Sequence, residues 1–155
     1  SMKNGLHFDN FDNLLFQIAG SKRAILFPPE DSPHLYYSSE GVNIRRHAFN
    51  LKGGFANETV HEAMRKNVAW INVFDEAVAT SHPDIAKASP SVCQLDAGDA
   101  LFLPKGWHHA VISSAEGRRN VAVNTWYDLR GGSSTPLNRV SSLEEMFQPP
   151  AECEV

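Results

Sequence analysis

Cysteine is scarce in this chain of 155 residues: only Cys93 and Cys153 are present. They lie far apart and match no zinc-binding spacing, so two reduced thiols are the expected state. Basic charge is in deficit as well, with 14 Lys and Arg against 18 Asp and Glu and a formal net charge of −4. That balance works against a broad non-specific nucleic-acid surface. No apolar run approaches the roughly 20 residues needed to cross a bilayer. The opening Ser1-Met2-Lys3-Asn4-Gly5 carries no apolar core of a secretory signal. A cytoplasmic or nuclear protein without membrane attachment is therefore expected. Internal repeats and low-complexity tracts are also lacking. What is there is ordinary, with 42% hydrophobic and 21% charged residues, which suits one globular domain of this length.

The apolar pattern predicts short strands. Residues 13–19 and Lys22–Phe27 read as a hairpin joined by a two-residue loop that begins with Gly20, and Pro28-Pro29 ends it. Between Glu30 and Ser91 the pattern weakens. Residues 33–37 suggest an ordered loop or one helical turn. Glu58–Arg65 has helical composition, with Val60, Ala63 and Met64 at i, i+3 and i+4. Residues 30–91 are read as a variable insertion with one short helix, of the kind that often forms binding loops. Strands return at 92–95, 100–103 and 107–112, then a polar loop at 113–119, then a last strand at 120–127. Many short strands separated by turns predict an all-β barrel or jelly roll with minor helix. The domain is expected over 1–130. A tail over 131–155 holds a helix candidate at 141–147, with Ser142 as its cap and Glu145 three residues on.

The residues with chemical content are His7, Asp9 and His109. On a strand, i and i+2 face the same way, so His7 and Asp9 can reach one ion together. An imidazole from a distant strand would complete a set of two histidines and one carboxylate. Such a set leaves coordination positions open, as non-haem Fe(II) oxygenases require. A lone His-x-Asp or His-His is weak evidence, and a surface loop with a core histidine explains either one.

The neighbouring motifs add weight. The run from His7 to Pro29, HFDNFDNLLFQIAGSKRAILFPP, resembles the metal-binding segment of the Jumonji-C (JmjC, cupin-type) 2-oxoglutarate oxygenases. The run from Leu95 to Val111, LDAGDALFLPKGWHHAV, is similar to the second motif of that family, and 120–127 to its closing strand. The small JmjC lysyl hydroxylases are the most similar branch. The resemblance implies a double-stranded β-helix, that is, a jelly-roll cupin barrel. It implies His7, Asp9 and His109 as ligands of Fe(II), with His108 as the alternative to His109. It further implies Lys22 as the partner of the distal carboxylate of 2-oxoglutarate, with Asn124, Asn13 and Trp126 lining the same cofactor pocket. Without the family match, Lys22 would read as a solvated strand charge, and Asn13 and Trp126 as packing residues.

The activity so implied is Fe(II)- and 2-oxoglutarate-dependent hydroxylation, with O₂ as cosubstrate, of a protein side chain and most of all a lysyl one. Alternatives are a histone lysine demethylase, a tRNA-base hydroxylase disfavoured by the net charge, and a non-catalytic metal-binding cupin fragment. A hydrolytic zinc enzyme lacks an evident general base and leaves Lys22 unexplained. Zn²⁺, Ni²⁺ or Mn²⁺ could substitute for iron, because affinity alone does not select the metal. One departure stands out. Only six residues precede His7, so the barrel is expected to lack its first strand and to have about seven strands rather than eight. The resulting open sheet edge would be filled by the insertion or by a second copy of the chain, or would leave the fragment weakly active.

Overall fold

The computed structural model describes residues 2–50, 54–115 and 119–127; for 43–50 and 54–64 it describes the backbone alone. The strands are β1 (Met2–Phe8), β2 (Asp12–Ala19), β3 (Ser21–Phe27), β4 (Val42–Asn50), β5 (Gly54–Arg65), β6 (Ser91–Leu95), β7 (Ala100–Leu103), β8 (His108–Ser114) and β9 (Val121–Tyr127). One four-residue helix, α1 (Val78–Ser81), and 3-10 turns at Pro29–His34 and Pro83–Lys87 complete the described elements. A four-stranded antiparallel sheet has the order β1-β8-β3-β6, and a three-stranded sheet the order β7-β2-β9. A separate pair joins β4 to β5. This is the cupin double-stranded β-helix.

The two faces of β3 explain the layering. Ala24, Ile25, Leu26 and Phe27 are all buried, as a strand covered on both sides requires. Alternation sends Ala24 and Leu26 into the space between the sheets, among Leu15, Leu95, Leu101, Leu103 and Trp107. It sends Ile25 and Phe27 to the opposite face, where Leu35, Ile71, Val73, Val78 and Ile85 cover them. The segment after β5 therefore supplies five of the eleven buried residues of this outer cluster and is more than a binding loop. Among the described residues no helix is long and apolar enough to cross a membrane.

Several expectations are corrected. Strands β2 and β3 occur as read but form no hairpin. Both sides of β2 are taken by β7 and β9, and both sides of β3 by β6 and β8, so neither has a free edge for the other. The chain crosses between sheets at Gly20, whose φ of 72° suits glycine. Glu58–Arg65 lies in β5 instead of a helix; ladder pairing with β4, such as Ile44 with Ala63, outweighs a short helical pattern. The single described α-helix comes later, at α1. The two main sheets together hold seven described strands, β1 among them, and β4 and β5 form a pair apart from them. The edge of β1 is partly capped. Leu6 O accepts from Ala69 N (2.9 Å), Phe8 N donates to Asn67 O (3.1 Å), and His7 bridges Val68. The insertion thus fills part of the expected gap.

Cys93 is fully buried in β6 and is disulfide-bonded, which replaces the reduced thiol expected there. Cys153 and the helix candidate at 141–147 lie outside the described residues.

A methyl group on Gly20 would stand 2.8 Å from Ser114 O and from Asn120 Nδ2, in a backbone conformation alanine resists. Gly20→Ala is expected to cost about 2 kcal/mol, read as a lower urea midpoint with an unchanged m-value.

Candidate functional site

Strand pairing builds the site. In the β1–β8 ladder, His7 stands opposite His109. Their rings lie 4.2 Å apart between centroids, tilted by 52°. Asp9 sits just past the end of β1, so it is a turn residue and not the strand partner of His7 that the i, i+2 argument assumed. Its main-chain oxygen accepts from Gly106 N at 3.0 Å, which ties it to the turn before β8. The result is a group of three side chains, His7, Asp9 and His109, whose ligand atoms all lie within 4.8 Å of one another.

Both imidazoles are oriented for this. His7 Nδ1 donates to Gly5 O at 2.8 Å, and His109 Nδ1 donates to Trp107 O at 3.1 Å. A carbonyl only accepts, so in each neutral ring Nδ1 carries the hydrogen and Nε2 keeps its lone pair. His109 Nε2 stands 3.9 Å from Asp9 Oδ2. Burial, then the proximity of His7, pushes the His109 pKa down to about 4. The ring is therefore neutral at physiological pH, the form that binds a cation. His108, the alternative ligand, points the other way on β8, as neighbouring strand residues must. Its Nδ1 shares a 2.8 Å hydrogen bond with the Tyr37 hydroxyl, and Phe8 packs edge-on against its ring.

The remaining candidates, Lys22, Asn124, Asn13 and Trp126, line the same cavity of about 740 Å³ as His7, Asp9 and His109. Asn13 is buried, and its Oδ1 has no hydrogen-bond partner among the described residues. A buried oxygen left in that state is costly and suits a ligand that donates a hydrogen bond or brings a bridging water. Trp126 is 55% exposed and its Nε1 donates to Asp9 Oδ2 at 3.4 Å. Lys22 Nζ donates to Ser113 Oγ (2.7 Å) and Asn120 Oδ1 (3.0 Å), and burial lowers its pKa. Among the described residues no carboxylate pairs with it, so the cavity offers an ammonium with neutral neighbours to an incoming anion.

Three polar residues of this cavity, Asn4, Ser113 and Asn120, escape the sequence reading. Ser113 shares a strand face with His109 and Val111, so counting by twos from His109 would have found it. Asn120 stands just before β9, and the same count run back from Asn124 through Ala122 reaches it, though its residue type alone does not mark its role.

Comparison with known proteins agrees with this architecture. The family described as a cupin-like domain matches residues 2–132. The chain is 35% identical over 121 residues to human tRNA wybutosine-synthesizing protein 5, covering 78% of this chain and 29% of that protein. It is 31% identical over 125 residues to the human bifunctional peptidase and (3S)-lysyl hydroxylase JMJD7, covering 80% and 37%. It is 26% identical over 144 residues to JmjC domain-containing protein E of Dictyostelium discoideum, covering 83% and 40%. The chain thus spans from 29% to 40% of the length of these curated relatives.

Two outcomes are expected. At pH 7 a divalent ion should stabilise the fold by roughly 3 kcal/mol when its free concentration is about 100 times Kd. His109→Ala should abolish that shift in thermal unfolding. The second concerns pH. Between pH 6.5, the ordinary histidine value, and about 4, the unfolded chain binds a proton at position 109 that the folded chain refuses. The metal-free protein should therefore lose stability as pH falls through this window and level off below it, by on the order of 3 kcal/mol for this group. Urea titrations of wild type and His109→Gln at pH 7, 5.5 and 4 should show a shallower decline in the variant.

Proposed function

The chain belongs to the cupin-like family whose members include JmjC-domain proteins, and on that premise we propose that it is an Fe(II)- and 2-oxoglutarate-dependent dioxygenase that hydroxylates a protein side chain, foremost a lysyl one. The observation that carries the proposal is the meeting of His7, Asp9 and His109 in one cavity with the ammonium of Lys22, which no carboxylate among the described residues pairs.

Two imidazoles and one carboxylate suit a divalent ion that must keep open positions for other ligands. His7 and His109 would present Nε2 to it, and Asp9 a carboxylate oxygen. Lys22 would hold the distal carboxylate of 2-oxoglutarate, since a carboxylate brought into a half-buried cavity needs a cationic partner. Asn13 and Asn124 would hydrogen-bond the same molecule, and Trp126 would shield the carboxylate of Asp9 from water. When bound, iron and 2-oxoglutarate supply O₂-dependent oxidative decarboxylation to succinate and CO₂, coupled to insertion of one oxygen atom into a substrate C–H bond. The protein's own contribution is orientation and the exclusion of water.

A lysyl substrate is supported by the name of the relative called a (3S)-lysyl hydroxylase and by the net charge of −4, which favours a basic partner. A tRNA base is the second reading, supported by the name of the relative that is 35% identical. Self-association is supported by an apolar outer face on the three-stranded sheet. Phe16, Ile18, Val121 and Val123 are exposed there, and β9 is the edge strand. Sedimentation over a concentration series reads it directly.

With Fe(II), ascorbate and 2-oxoglutarate, the wild-type chain should release succinate, and basic peptides should gain the mass of one oxygen atom. His109→Ala should release none, and Lys22→Ala should raise the KM for 2-oxoglutarate about tenfold or more. Wild-type succinate release equal to that of His109→Ala would remove the enzyme reading. Oxidation of a tRNA nucleoside in place of the peptides would transfer the proposal to the second substrate.

A further inference from the structure

Asn120 sits just before β9, at the first residue of the segment read as the closing strand, and its amide is saturated on all sides. Nδ2 donates to Ser21 O and to Ser114 O, both at 2.7 Å. Oδ1 accepts from Lys22 Nζ at 3.0 Å and from Gln17 Nε2 at 3.4 Å. The orientation is unambiguous, because a flipped amide would set NH₂ against an ammonium and oxygen against two carbonyls. One side chain therefore joins β2, the crossover after Gly20, β3 and the end of β8. Gly20 makes room for it: a Cβ there would stand 2.8 Å from Asn120 Nδ2.

The consequence falls on Lys22. Its ammonium has three N–H donors. Ser113 Oγ takes one and Asn120 Oδ1 another, which fixes the amine and leaves one for a ligand. Both acceptors are neutral, so the positive charge stays available. A free lysine would have to give up much rotamer freedom on binding; here that entropy is lost on folding.

We propose that Asn120 is a positioning residue, which clamps the Lys22 ammonium toward the cavity so that it captures the distal carboxylate of a dicarboxylate ligand. The inference rests on the 2-oxoglutarate reading above and adds to it a residue that acts through Lys22. Asn120 sets which 2-oxo acid is accepted: one with a second carboxylate over one without.

The test is calorimetric binding to the full chain loaded with Mn²⁺ under argon. The probes are 2-oxoglutarate and 2-oxobutanoate, which share the chelating end, but 2-oxobutanoate has no distal carboxylate. Asn120→Ala should weaken 2-oxoglutarate about tenfold and leave 2-oxobutanoate within about twofold. The double variant Asn120→Ala/Lys22→Ala should bind 2-oxoglutarate no more weakly than Lys22→Ala alone, because the two act as a unit. Asn120→Asp, of the same size, should weaken 2-oxoglutarate further than Asn120→Ala, since its carboxylate would pair with the ammonium and compete with the ligand. Equal weakening of both acids in folded variants would overturn the proposal, as would unchanged 2-oxoglutarate binding. Loss of the fold in both Asn120→Ala and Asn120→Asp would assign Asn120 a purely structural role and overturn it too. If the wild-type chain binds 2-oxobutanoate and 2-oxoglutarate alike, the dicarboxylate reading itself fails. If the wild type discriminates between them and Asn120→Ala does so to the same degree, only the role of Asn120 fails.

Discussion

The register of β8 against its two neighbours governs the site. On one side β8 pairs with β1 and sets His109 opposite His7; on the other it pairs with β3 and sets Ser113 opposite Lys22. One strand thus delivers an imidazole to the cation end of the cavity and a hydroxyl to the anion end. The two residues are spaced by an even number, so both point inward. A slip of one residue would turn both away together, and would send buried Val111 out of the core with them. Hydrophobic packing therefore holds the polar geometry in place: the side chain between the two is itself part of the apolar cluster between the sheets.

The electrostatics of the cavity follow from that packing. His109 is buried close to a second imidazole, so a protonated ring there is unfavourable, and His109 is held in the neutral state that can bind a cation. Lys22, on β3 opposite the far end of β8, is held by a serine and an asparagine instead of a carboxylate. A carboxylate in either place would satisfy the ammonium and leave it less able to attract a ligand. The proposed site combines a candidate cation-binding end with a candidate anion-binding end, and among the described residues Asp9 is the one carboxylate at either. Filling the cavity with both an ion and a diacid would relieve both deficits at once.

The segment between the two motif blocks has a structural role that its irregular sequence conceals. Ala69 and Asn67 hydrogen-bond along β1, and Ile71, Val73, Val78 and Ile85 cover the outer face of the four-stranded sheet. This backing keeps β1, and with it His7, against β8. Tyr37 reaches in from the same side to His108, so the residue that follows Trp107 serves the packing layer while His109 serves the cavity. The three-stranded sheet has no comparable cover among the described residues and leaves Phe16, Ile18 and Val123 exposed.

The strands β2, β3, β6, β7, β8 and β9 were legible in the chain because each is a compact apolar run between turn residues, a local property. The three candidate ligands were legible because a histidine and an acid at short spacing, followed far on by another histidine in a second motif, carry their chemistry in residue type. Local pattern could not reveal which strands pair. Residues 13–27 look like a hairpin, and Gly20 turns the corner between sheets because each strand finds better partners elsewhere. Nor could it show that 58–65 are extended, since the ladder to β4 is a non-local interaction that outweighs composition. Asn120 stayed hidden for the same reason: it matters only through groups that are distant along the chain and adjacent in space. Residue chemistry was set by the sequence alone. The meeting of those residues was decided by tertiary structure, because hydrogen-bond ladders and burial act between segments that no short window contains.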